Sequence, residues 1–171
     1  EKRAPDGYAE AESIVFKLVQ DGTEQVNEVY VKTDDDWSKM NGSTIVMQDA
    51  PVLDIDKTDI AGNLLPGATL TIRDADGEVI DTWITDYKTH RVPVSDEFIK
   101  LSGETKEDIY TLTEDAAPAG IEIAESVQFK LESVDEVISL FVRDNADADW
   151  VRTDKRLIQM RDEATPREDT P

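Results

Sequence analysis

Three charged residues stand where an apolar one is due. In VLDIDKTD, Lys57 lies on the side of an alternating segment that carries Leu53 and Ile55. In YTLTEDAAPAGI, Glu114 continues the set Tyr110 and Leu112, and in LIQMRDEA, Asp162 continues Ile158 and Met160. Successive side chains along a strand point to opposite faces, so a period of two turns all three charges inward. An unpartnered amine or carboxylate is costly to remove from water, so each of the three needs a companion. Paired carboxylates are also the residue types of an acid/base hydrolase.

Other groups are weaker candidates. Asn145, Asp147 and Asp149 have the alternate spacing of a calcium loop, but the usual glycine and closing glutamate are missing, so the segment reads as a solvated acidic turn and no metal is expected. Trp37, Trp83 and Trp150 would make a ligand platform if exposed; core packing is the expected role. His90 is expected to be a surface histidine.

The elements that must position these residues are organised by a repeat. An offset of 113 aligns residues 1–49 with 114–162 without a gap, and 17 of the 49 pairs are identical, among them Glu1 with Glu114, Phe16 with Phe129, Trp37 with Trp150 and Asp49 with Asp162. Chance at roughly 6% per position gives about three, and a fixed period marks tandem modules. Residues 51–163 then form a complete module and residues 1–50 the C-terminal half of another. ATPREDTP, within 164–171, reads as an exposed linker. A half module of a β domain is too small to fold alone, so neighbouring repeats or another chain are expected to complete it.

Short alternating segments separated by turn residues predict an all-β sandwich. ATLTIRDADGEVIDTWIT reads as a hairpin turning at DADG; DIYTLTE, ESVQFKLES, EVISLFVRD and KRLIQMRD continue the pattern, and AESIVFKLV, NEVYVK and STIVMQD repeat it in the half module. Residues 86–108 are hard to read, with one strand expected around 91–99. With 18 basic and 39 acidic residues the net charge is −21, which argues against nucleic acid or an anionic membrane surface as partner. There is no cysteine, hence no disulfide or thiolate metal site, and no stretch apolar enough to span a bilayer.

The block GNLLPGATLTIRDADGEVIDTWITD, the box YTLTEDAAPAGI and the end strands IVMQDA and IQMRDEA together resemble the collagen-adhesin B-type (Cna B-type, prealbumin-like, SpaA-type) domains of Gram-positive surface proteins and pilins. Ile121 departs from the box, where Tyr8 keeps the expected tyrosine in the half module. The resemblance implies a prealbumin-like, reverse immunoglobulin-type β-sandwich in tandem repeats. It further implies that Lys57 is the nucleophile, Asp162 the electrophile and Glu114 the proton shuttle of a spontaneous intramolecular isopeptide bond. The chemistry suits those types: burial disfavours the charged forms of amine and acid alike, and a nearby carboxyl can move the proton between them. Such a bond forms once, so the module is a self-modifying structural element rather than a turnover enzyme, with no cofactor.

Glu1 and Asp49 hold the equivalent positions in the half module. Lys57 is eight residues beyond Asp49, across the module boundary, and is expected to pair with Asp162 instead. The resemblance implies an extracellular stalk or backbone repeat of a bacterial surface adhesin or pilus-like fibre, in a parent attached to the cell wall. The competing expectation is an adhesive module whose long loops, such as 86–108, contact a host protein or glycan.

Overall fold

A computed structural model describes residues 2–20, 22 and 27–162. Glu1 and the segment 164–171 thus lie outside the described residues. The chain divides into two compact units, 1–50 and 51–171.

The first unit carries β1 (Tyr8–Ala9), β2 (Phe16–Gln20), β3 (Asn27–Thr33) and β4 (Asp36–Lys39). β2, β3 and β4 form an antiparallel sheet in which Phe16 faces Val31 and Lys32 faces Trp37. The expected strand in STIVMQD is not formed: residues 44–49 belong to no named strand.

The second unit is built from β5 (Ala50–Thr58), β6 (Thr69–Arg73), β7 (Val79–Ile84), β8 (His90–Pro93), β9 (Tyr110–Ala116), β10 (Val127–Val134), β11 (Val137–Arg143), β12 (Val151–Arg152) and β13 (Leu157–Arg161). A six-stranded antiparallel sheet runs β12-β11-β10-β9-β6-β7. Facing it, β5 pairs with β8 antiparallel and with β13 parallel. Between the layers lies one apolar core, to which Leu53 and Ile55 contribute from β5, Leu70 and Ile72 from β6, Phe129 and Leu131 from β10, and Ile158 and Met160 from β13. This is the all-β sandwich that the alternation predicts. The turn at DADG is as read: Gly77 has φ 84°, and Asp74 accepts the N–H groups of Asp76 and Glu78. The strand expected around 91–99 is shorter and earlier, because after Pro93 only a bridge between Val94 and Ile99 continues it.

The strand registers also correct the ungapped alignment. Phe16 faces Val31, whereas Phe129 faces Val142, so Val31 corresponds to Val142 at an offset of 111. The β10–β11 hairpin turns through Asp135 and Glu136, both with positive φ, and a longer loop then separates β11 from the facing Arg152 strand where only Asp34 and Asp35 separate β3 from β4. Two residues have moved from one loop to the other, which is why NEVYVK matches ISLFVR better than the offset of 113 allows.

Candidate functional site: a buried lysine between two carboxyl groups

Lys57, Glu114 and Asp162 meet in the core of the second unit, and all three are buried. β5 supplies Lys57 next to its pairing partner Met160 of β13. Asp162 prolongs that parallel ladder, its N–H donating to the Thr58 carbonyl at 2.9 Å. Glu114 comes from β9 in the opposite sheet, where it pairs with Leu70. Thus the two sheets, and the first and last strands of the sandwich, converge on one amine.

Lys57 Nζ touches Asp162 Oδ1 and lies 3.3 Å from Glu114 Oε2. Glu114 Oε2 also accepts the Ala124 N–H at 2.6 Å. The remaining oxygens, Glu114 Oε1 and Asp162 Oδ2, are buried without a hydrogen-bond partner. Burial pushes the Glu114 carboxyl above the usual glutamate range, and Asp162 adds to this; the Ala124 N–H and Lys57 oppose it. Glu114 therefore holds a proton at pH values where an exposed glutamate has lost it. The site offers an amine in contact with one carboxyl group and a second, proton-holding carboxyl beside it.

The other candidates lie elsewhere. Asp49 is half-buried in the first unit. Asn145 accepts the Asp147 N–H through its side chain, capping its own turn, and no group of three or more acidic, histidine or cysteine side chains able to hold a metal occurs among the described residues. Trp83 packs against the core and stacks on His90 at 3.8 Å between centroids, and His90 Nε2 bonds Asp81 at 2.8 Å. His90 is therefore a half-buried clasp between β8 and β7 rather than a free surface group.

Trp150 and Trp37 lie on sheet surfaces under cations. Lys130 sits 4.9 Å from the Trp150 ring and Lys17 4.4 Å from the Trp37 ring, with Phe141 and Tyr30 completing the same trio in each unit. Neither ring belongs to the apolar core or packs against it, which corrects the expectation of core packing for these two tryptophans. Alternation alone does not single out Lys130, although the pairing of Lys17 with Lys130 and Trp37 with Trp150 in the repeat is the signal that finds it. Glu107 and Glu132 hold its ammonium at 3.0 and 2.8 Å.

A six-stranded antiparallel sheet facing a sheet in which the first and last strands of the unit pair in parallel defines a prealbumin-like domain. The family profile described as the SpaA prealbumin-like fold domain matches residues 52–146, and the chain belongs to this family. Among the curated proteins there is no match. Solved structures similar to this chain include the pilus-presented adhesin Spy0125 (Cpa), at 26% identity and TM-score 0.43 over 59% of this chain and 27% of that one. The pilus adhesin SpaC from Lactobacillus rhamnosus GG, in an open conformation, is 15% identical with TM-score 0.43 over 95% of this chain and 24% of its own. A C-terminal fragment of SpaC is 14% identical with TM-score 0.42 over 96% and 74%. The chain thus spans about a quarter of the full adhesins it resembles.

Proposed function

We propose that the second unit is a self-crosslinked structural domain of a bacterial surface adhesin or pilus-like fibre, closed by an isopeptide bond between Lys57 and Asp162. One observation carries the reading: a buried amine touches a buried carboxyl group whose second oxygen has no partner. An orphaned buried acceptor costs about 1–3 kcal/mol, and condensation removes one of the two Asp162 oxygens.

The step balances without any co-reactant. A proton passes from the ammonium to the carboxylate, giving a neutral amine and a neutral acid. Lys57 Nζ bonds the Asp162 carboxyl carbon, the C–O bond breaks, and the oxygen leaves as water. Glu114 takes the proton shed by nitrogen and returns one to the departing oxygen, so it ends unchanged.

Closing a loop across the 105 residues between Lys57 and Asp162 removes chain entropy worth about 4–5 kcal/mol. The mechanical consequence is larger. β5 and β13 run parallel, so tension entering before β5 and leaving after β13 shears their shared ladder. A covalent tie at Lys57 carries that load past the hydrogen bonds and shields the core from unfolding and proteolysis. An extracellular location accords with this role.

Intact mass tests the proposal. The folded chain is expected to weigh one water less than its formula, and Lys57→Ala, Glu114→Ala and Asp162→Ala are each expected to restore the full mass. A well-folded wild-type chain at full formula mass would overturn the crosslink.

A further inference from the structure

Lys57 stands beside an open margin of the second unit's sandwich. β8 begins at His90, opposite Ile55, and so stops short of Lys57; the segment 85–89 crosses there instead, with Thr89 donating to Asp56 at 2.6 Å. A cavity of about 190 Å³ results, lined by Lys57, Trp83 and His90 together with Thr85, Asp86 and Thr89. Asp86 and Thr89 are exposed, so the cavity opens to solvent on their side. The strand registers place a closure at this level. Leu70 pairs with Glu114 on one side and with Trp83 on the other, so the three side chains form one row on the inward face, which Trp83 ends because β7 is the last strand of its sheet. His90 faces inward from the opposite layer beside Ile55, and its ring stacks on Trp83 at 3.8 Å between centroids. Asp81, on the same face of β7 as Trp83, holds the imidazole Nε2 at 2.8 Å. The stacked rings therefore bridge the two layers where the solvent-open cavity meets the row that carries Glu114.

We propose that the Trp83–His90 stack is a gate on the crosslink site: it bars solvent in the cavity from Lys57 and its two carboxyl groups while the bond forms, and the cavity receives the water that is released. Glu114 Oε1 and Asp162 Oδ2 are buried acceptors without a partner. Water reaching them would bond them and wedge the amine from the carboxyl, and a reaction that depends on held contact slows when the contact is lost. The cavity exceeds the roughly 30 Å³ that a water occupies in the liquid, so the product has room to leave. Trp83 and His90 act on the surroundings of the reacting atoms and are positioning residues. Their part in the reaction rests on the crosslink proposed above and alters none of its bonds; the solvent barrier itself does not depend on it.

Acetylation tests the barrier without the bond. In the full chain carrying Asp162→Ala, acetic anhydride is expected to modify Lys57 slowly, and His90→Ala added to it should speed that modification by about tenfold, the mark of a local opening. Lys130, a second buried amine of the same unit, reports unfolding and should keep its rate. His90→Phe, which keeps a ring against Trp83, should restore slow modification. With Asp162 in place, His90→Ala should slow the loss of one water after refolding by about 10–10²-fold, the cost of disturbed positioning, and His90→Phe should not. Unchanged acetylation of Lys57 in the His90→Ala chain, or a rise shared by Lys130, overturns the gate. Faster acetylation of Lys57 with an unchanged rate of water loss overturns its part in the reaction. Faster acetylation where the wild-type chain loses no water faults the crosslink and leaves the solvent barrier supported.

Discussion

Met160 faces Lys57 across a parallel ladder, and Asp162, two residues on, reaches the same amine from a backbone position fixed by its N–H bond to the Thr58 carbonyl. A period of two puts Met160 and Asp162 on one face, so the residue that pairs with the lysine and the residue that touches it are set by one register. Reaction between groups held this way needs no diffusional search, only a proton carrier, and Glu114 is the group at hand.

Glu114→Gln isolates that carrier. Glutamine retains the shape and an oxygen for the Ala124 N–H, but it cannot shuttle a proton. The variant is expected to fold and to form the amide more slowly by about 10²–10⁴-fold, the usual contribution of a positioned general acid–base. Mass spectra taken at intervals after refolding measure the rate. Crosslinking at the wild-type rate would remove Glu114 from the reaction.

Lys57→Ala and Asp162→Ala each remove one partner of the proposed bond, but they should differ in stability. The first leaves two carboxyl groups buried without a cation; the second leaves Lys57 beside Glu114 at 3.3 Å. At neutral pH Lys57→Ala is therefore expected to be the less stable of the two. The pH dependence follows from the raised pKa of Glu114 against its ordinary value of 4.5, from which the opposing effect of Lys57 is now removed. The folded state keeps a proton that the unfolded chain releases. Its stabilisation is full below the unfolded value and lost as pH rises through the folded one. Urea midpoints of Lys57→Ala should fall as pH rises above 4.5, and Glu114→Gln added to it should flatten that slope. A slope unchanged by the second substitution would refute the assignment.

Much of this site is legible in the amino-acid order, because strand alternation converts sequence spacing into facing. Lys57, Glu114 and Asp162 are each readable as inward from two apolar neighbours. The pairing of β5 with β13 is harder to reach from residues alone: partners as far apart in the chain as Lys57 and Met160 leave no local trace, and the family resemblance supplies it. The two-residue shift within residues 21–33 is also hidden, since Trp37 and Val29 still coincide at an offset of 113 while the intervening strand does not. Segment 94–108 resists reading for a physical reason. It is held by single bridges at Ile99 and Leu101 and by the Tyr110 hydroxyl, none of which imposes a period.

That hydroxyl yields a local prediction. Tyr110 is buried against Phe129, and its oxygen accepts the Lys100 N–H at 2.9 Å. Tyr110→Phe keeps the ring packing and orphans the amide, for a loss of about 1 kcal/mol. Hydrogen exchange at the Lys100 amide should accelerate while exchange within β10 stays near wild type. Uniform acceleration across the unit would mean that the tyrosine acts on the whole core and not on this segment.

Phe16 and Phe129 share residue type and place in the strand but not surroundings. Phe129 is fully enclosed between the sheets, so Phe129→Ala leaves a cavity and is expected to destabilise the second unit by about 3–5 kcal/mol. Phe16 is 53% exposed, so Phe16→Ala should shift stability by no more than about 1 kcal/mol in the chain alone. Burial, not sequence position, sets the size of each effect. Chemical denaturation of both variants measures this. Equal losses in the two variants would show that the enclosure of Phe129 does not set its contribution.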